Sequence, residues 1–353
     1  MMLLRIYRAL IRSKLDYGSI VYASASETNL KSLNTIQNTA MRLALGAIKS
    51  SPTDSLAFEA HETPLKLRRE PLLLNYFTRK MADQRSPVAQ LFNGLQGLET
   101  TSKSPSPISH VLARLLKDID SYPNFNHYVT STPPWSRIPP DFHLSLHQYS
   151  KRDSPAILLI RSFQQIIDSF APDSILYTDA SKSKEGVGWA VTSARDLVAS
   201  SSLPEMCGIY TGELFAIYRA MKVMNGDNKT FAIYSDSLGA LQEIKDPYSS
   251  NPLIQNIQDD IHILSTNHCK IHLVWIPSHI GIAGNELADS SAGNAARSRV
   301  IEQHFYLPKD VSKHFTVSTE VDHIVTKCPV YSANSTTFQI KDELRKNLHS
   351  TVD

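Results

Sequence analysis

The chain has 353 residues, 42% of them hydrophobic, enough for a substantial core and for two domains of ordinary size or one with long extensions. Cys207, Cys269 and Cys328 lie far apart without paired spacing, which excludes a disulfide framework and points to a reducing compartment. The net charge of +2 conceals an asymmetry, because residues 1–172 carry 20 basic against 13 acidic side chains and residues 173–297 carry 9 against 14. A basic half beside an acidic third fits a polyanion-binding surface next to a cation-binding carboxylate cluster, although solvated charges scattered by chance fit the same counts.

No stretch approaches a membrane span. Arg5, Arg8 and Arg12 break the apolar opening run that a signal peptide needs, so the protein is expected in the nucleus or cytoplasm and not secreted.

Residues 1–84 read as mainly helical. In ETNLKSLNTIQNTAMRLALG, Leu30, Leu33, Ile36, Ala40, Leu43 and Ala44 recur at three-and-four spacing, and Gly46 follows where a helix cap is favoured. PLKLRREPLLLNYFTRKMA reads as a second helix, interrupted or begun at Pro71. Residues 85–170 are rich in Ser and Pro (SKSPSPISH, STPPWSRIPPDFHLSL). They read as an irregular connector holding one short helix, VLARLLKDI.

From 171 to 300 the pattern tightens. ILYTDA, GVGWAVTS and DLVASSSL read as a three-strand meander, TGELFAIYRAMKVMN as a helix and FAIYSD as a strand. SLGALQEIK and NPLIQNIQDDIHILST follow as helices, IHLVWIPS as the last strand and GNELADSSAGNAARS as a closing helix. Strands first in a run and then alternating with helices imply an α/β fold with a mixed, five-stranded sheet flanked by helices.

Four acids hold equivalent places in this segment. Asp179 and Asp236 each follow an apolar strand, Glu213 opens the first long helix on its sheet-facing stripe, and Asp289 falls in the first turns of the last helix, where the helix dipole favours an anion. Any one of them is ordinary as a solvated edge or a cap. If the two strands are neighbours, all four converge and repel, and a cation must sit between them. Oxygen ligands without Cys or His at metal spacing select Mg2+, with Mn2+ as the alternative. Two such ions can clamp a phosphodiester.

YTDAS, TGELFAI, YSDSLGAL and WIPSHIGIAGNELAD resemble, in order, the signature segments of the type 1 ribonuclease H family. The resemblance implies an endonuclease that hydrolyses the RNA strand of an RNA–DNA hybrid with two Mg2+ ions held by Asp179, Glu213, Asp236 and Asp289. His279 matches the family's mobile-loop histidine, which moves protons or helps product leave; the alternative is a loop histidine bonded to backbone. Asn285 and Glu286 match the same motif and are expected to support loop geometry. Ser181, Thr211, Ser237 and Asn285 are candidates for substrate contacts in the minor groove, with helix capping as the alternative for Thr211 and Ser237. Tyr210 and Thr211 stand where some relatives carry asparagines. A basic handle helix is absent between Asp236 and His279.

LDYGSIVYASASETNLKSLNTIQNTAMRLALGA and PLKLRRE resemble the region after the polymerase palm in reverse transcriptases of Jockey-like non-LTR retrotransposons, and PPWSRIPPDFHLSL resembles the connector before their ribonuclease H. No paired-aspartate palm motif occurs, so no polymerase activity is expected. Residues 301–353 hold His323 and Cys328 at a spacing that resembles half of a retroelement zinc knuckle; a structural site needs four ligands, so zinc is not expected. No small-molecule cofactor is expected. The rival reading is an inactive nucleic-acid-binding remnant of a retrotransposon.

Overall fold

The computed structural model describes residues 2–22, 25–81, 86–87, 132–149, 155–298, 301, 307, 309–311 and 313. They fall into two compact units, which part between Pro123 and Asn124 and between Asp310 and Val311. VLARLLKDI, His323 and Cys328 lie outside the described residues.

The N-terminal unit contains α1 (Met2–Ile6), a π-helical segment (Tyr7–Arg12), α2 (Ser13–Asp16), α3 (Ser19–Tyr22), α4 (Glu27–Leu45), α5 (Thr53–Glu59) and α6 (Leu65–Met81). The predicted three-and-four stripe appears as α4, started by the Ser26 hydroxyl accepting from the Asn29 N–H and ended by Gly46 at φ 67°. Tyr7, Ala40, Met41, Leu56 and Ala60 form a small core. α6 neither begins nor breaks at Pro71 but runs through it. Burial of Leu65, Leu73, Leu74 and Phe77 holds both flanks of the proline in place, which outweighs the lost backbone bond. Arg8 and Arg12 pair with the buried Glu62, and Arg68 grips Asp16 with two nitrogens. These three cations are therefore engaged within the unit.

The second unit runs in the order β1 (Asp141–His143), α7 (Ala156–Phe170), β2 (Ser174–Lys182), β3 (Val187–Thr192), β4 (Leu197–Leu203), α8 (Ile209–Val223), β5 (Thr230–Ser235), α9 (Leu238–Lys245), α10 (Pro252–Thr266), β6 (Lys270–Trp275) and α11 (Ala283–Arg297). Side chains alternate along each strand, and both faces of the central ones are apolar. Leu176, Trp189, Val191, Ile233 and Leu273 pack beneath α8, α9 and α10. Tyr177, Ala232, Tyr234 and Val274 meet Phe163 of α7 and Ala288 of α11 on the other side. A sheet apolar on both faces must be covered on both, and the result is a three-layer α/β/α sandwich.

The strands lie in the order β1-β6-β5-β2-β3-β4; β2, β3 and β4 form the antiparallel meander, while β5, β6 and β1 add in parallel. The sheet therefore has six strands, not the five expected. The additional one, Asp141–His143, comes from the Ser/Pro-rich segment expected to be irregular, as does α7. Three residues preceded by Pro139 and Pro140 carry too short a pattern to read as a strand. They are held by tertiary contacts: Arg137 forms a buried ion pair with Asp259 at 2.7 Å and bonds Gln258 at 2.6 Å, and the Ile138 N–H meets His262 Nδ1 at 3.3 Å. An edge position tolerates the neighbouring prolines.

Three glycines set the layer spacing. A Cβ on Gly212 would stand 2.5 Å from Val187 Cγ1, one on Gly188 2.1 Å from the Ala292 carbonyl oxygen, and one on Gly284 2.3 Å from the Tyr177 ring. These contacts seat α8 on one face of β2 and β3 and α11 on the other.

Candidate functional site

The parallel register of β2 with β5 ends at Thr178 opposite Ser235, so the next residues, Asp179 and Asp236, emerge side by side. Here the two strands part. The chain after β5 turns at once into α9, with the Ser237 hydroxyl accepting from the Ala240 N–H as its cap and the Leu238 N–H bonded to the Asp236 carbonyl at 3.1 Å. The Trp275 indole N–H donates to that same carbonyl at 2.9 Å and fixes the Asp236 backbone from β6. Asp179 does not end its strand as the sequence suggested. β2 continues to Lys182 because β3 goes on pairing with it after β5 has stopped, and Asp179 sits opposite Ala190.

Glu213 and Asp289 reach this point from opposite layers. Gly212 lets the first turn of α8 lie on Val187 and Ala180, and Glu213 follows it directly. The Ser237 hydroxyl donates to the Glu213 carboxylate, joining α8 to the start of α9. On the other face Gly284 rests on Tyr177, the Thr192 hydroxyl donates to the Gly284 carbonyl at 2.8 Å, and Asp289 lies in the next turn of α11.

The electrostatics record the convergence. Burial, then the charge of Asp236, and to a smaller degree Asp289 and Glu213, push the Asp179 carboxyl up to about 8; the Ala180 N–H, donating at 2.7 Å, opposes them. Glu213 is likewise raised by burial and by Asp236, against the pull of the Ser237 hydroxyl. Asp179 is 8% exposed and the other three acids are half-buried. A buried carboxyl beside three others, with oxygen as the only donor type, is a set of residues that fits a hard divalent cation.

His279 lies beside Asp289, on the loop before α11. Its backbone is left-handed, at φ 56°, and its side chain is 65% exposed. Nδ1 is 3.7 Å from Asp289 Oδ2 and 4.0 Å from Glu286 Oε2. Glu286 Oε1 also accepts from the Gly281 N–H at 3.3 Å, which ties the loop to α11. His279, Glu286 and Asp289 thus present ligand atoms within 4.8 Å of one another.

The four candidates for substrate contact are placed differently from one another. Ser181 is half-buried on β2, two residues beyond Asp179. Ser237 is buried and occupied with its cap and with Glu213. Thr211 is buried, and its hydroxyl donates to Asp310 at 2.6 Å. Asn285 is buried too, and its side-chain oxygen has no hydrogen-bond partner among the described residues. No local pattern marks Trp275 or Asp310 as supports, since their partners stand 39 and 99 residues away.

Residues 171–297 match the family model described as RNase H. The comparison with curated proteins found no match. The matched segment spans β2 to α11 and contains all four acids and His279.

Proposed function

We propose, from the premise that residues 171–297 form a ribonuclease H domain, that this chain hydrolyses the RNA strand of RNA–DNA hybrids endonucleolytically. The observation that carries the reading is the Asp179 carboxyl, buried and pushed up to about 8 beside Asp236, Asp289 and Glu213. A carboxyl so placed is stabilised as an anion only with a cation against it.

Asp179, Glu213, Asp236 and Asp289 would hold the divalent ions, Mg2+ in the first instance. Bound there, two such ions supply Lewis acidity to the attacking water and to the leaving oxygen. The remaining work falls to the protein's own groups. The Ala180 N–H orients Asp179, Ser237 orients Glu213, and Trp275 holds the backbone of Asp236. His279, exposed and within 3.7 Å of Asp289, takes or returns a proton at the leaving side or helps product depart. Ser181 is the half-buried hydroxyl nearest in sequence to Asp179 and is assigned to the hybrid's minor groove, where 2′-hydroxyl groups distinguish RNA. The N-terminal segments that resemble a Jockey-like reverse transcriptase support a retroelement origin. Among the described residues no helix is long and apolar enough to cross a membrane.

The test uses the full chain with an end-labelled RNA–DNA hybrid and Mg2+, beside Asp236→Asn. The expected result is internal cutting of RNA by the wild type and a loss of roughly a thousandfold or more in the variant. Equal, negligible cutting by both would leave only a nucleic-acid-binding remnant.

A further inference from the structure

The helix that brings Glu213 to the acid cluster begins without a cap of its own. Its N-cap position is Gly208, which has no side chain to offer, and no acidic residue stands in its first turn. Helix starts leave N–H groups unpaired and concentrate positive charge, and a short polar side chain at the N-cap ordinarily answers both. α8 obtains that group from elsewhere in the chain. Asp310 places its carboxylate at the start of the helix, where it accepts from the Gly208 N–H and, at 2.6 Å, from the Thr211 hydroxyl. Asp310 is 9% exposed, Thr211 is 1% exposed, and a Cβ added to Gly208 would stand 3.0 Å from Asp310 Oδ1. The absent side chain at 208 is thus what leaves room for the carboxylate. Lys182 of β2 secures the same turn from the other direction by donating to the Cys207 carbonyl at 2.9 Å. Asp310 lies 13 residues past the last residue matched to the family, Arg297.

We infer that Asp310 is a positioning residue: as a cap supplied to α8 from a distant part of the same chain, it fixes the turn that carries Glu213 and so sets the geometry in which the acid cluster takes up its ions. The inference rests on the hydrolytic reading of that cluster. Gly208, Thr211 and Glu213 share the opening of one helix, so slack at its start moves the Glu213 carboxylate relative to Asp179 and Asp236, which are fixed to the sheet. Ångström-scale misplacement of a ligand weakens ion binding and turnover more than substrate affinity. The carboxylate acts through α8 and has no contact with the reacting atoms.

The experiment compares full-chain wild type, Asp310→Ala, Asp310→Asn and Thr211→Val. It measures steady-state cleavage of a labelled hybrid, calorimetric binding of Mg2+ alone, and amide exchange at the start of α8. Asp310→Ala is expected to lower kcat roughly tenfold with little change in KM, to weaken Mg2+ binding and to speed exchange of the α8 amides. Asp310→Asn keeps an accepting oxygen and should restore most of both kcat and ion affinity. Thr211→Val keeps the bond to Gly208 and should fall between; it decides the matter if Asp310→Ala does not fold. Wild-type kcat and ion affinity in Asp310→Ala, with only a lower Tm, would reduce Asp310 to a prop of the fold and overturn the inference. A wild type that binds Mg2+ but cuts nothing would sink the nuclease reading alone, and the calorimetric comparison would still decide for or against Asp310. A wild type that binds no Mg2+ would end both.

Discussion

His279 Nδ1 stands 3.7 Å from Asp289 Oδ2, too far for a hydrogen bond and close enough for a charge on either group to act on the other. The histidine belongs to an exposed loop whose backbone is left-handed at residue 279 and again at Gly281, while the aspartate belongs to a helix wedged against the sheet. The histidine is presented to solvent by a loop, while the aspartate is held in a packed helix. Replacing His279 with Ala should therefore lower kcat on the order of a hundredfold while leaving KM for the hybrid and Mg2+ affinity close to the wild type. Single-turnover and steady-state cleavage assays separate a proton-transfer defect, seen in both, from slow product release, seen only in the second.

Removal of divalent ions should make stability fall as pH rises. The folded Asp179 carboxyl titrates near 8 against an ordinary value of 3.8, so the fold favours its protonated form. Its stabilising contribution is complete below about pH 4 and is lost progressively as pH rises towards 8, on the order of a few kcal/mol. Thermal melts in EDTA from pH 5 to pH 9 should show a declining Tm, with Mg2+ restoring the upper end. Asp179→Asn should flatten the EDTA profile, raise Tm at pH 8 and abolish cleavage. An Asp179→Asn protein less stable than wild type in EDTA at pH 8 would contradict this account.

Arg137 and Asp259 form an ion pair whose side chains are 6% and 5% exposed. Removing one member takes the opposite charge away from a buried ion, at a cost of about 3–5 kcal/mol. Arg137→Ala should lower Tm and free β1 from β6, seen as faster amide exchange at Phe142 and at Leu273. A double variant with Asp259→Asn should recover part of the loss. Truncation to residues 171–297 should be destabilising for the same reason, because it exposes the β6 edge.

Gly188 faces the backbone of α11 at a distance that no side chain fits, with the Ala292 oxygen and the Ala296 nitrogen both within 2.3 Å of an added Cβ. Backbone atoms cannot swing aside, so Gly188→Ala must push α11 outward. The expected cost is about 3 kcal/mol, with Mg2+ affinity weakened through Asp289. Denaturant unfolding and calorimetry measure the two effects, and a variant with wild-type stability would show that the layers can separate freely.

Much of the candidate site's placement in the fold was legible because its signals are local. Asp179 and Asp236 end apolar runs, Glu213 shares the buried stripe of its helix, and the histidine loop stands a fixed ten residues before Asp289. The stripe of α4 and its Gly46 cap were equally local. Other features were not legible. Three strand residues after a proline pair carry no period, the helix from 156 to 170 lay in a segment read as irregular, and Pro71 is an unfavourable helix residue that burial around it overrides.

The amino-acid order by itself determined which side chains could form two apolar faces and which carboxylates would lie at their margins, since alternation and helical spacing follow from backbone geometry. Tertiary structure alone decided that β2 and β5 are neighbours whose pairing stops where the acids begin, that Arg137 fastens a sixth strand to the sheet, and that Asp310 caps the helix of Glu213. Those outcomes depend on contacts between residues tens to more than a hundred positions apart, whose energies arise only once the chain has folded and water has been excluded.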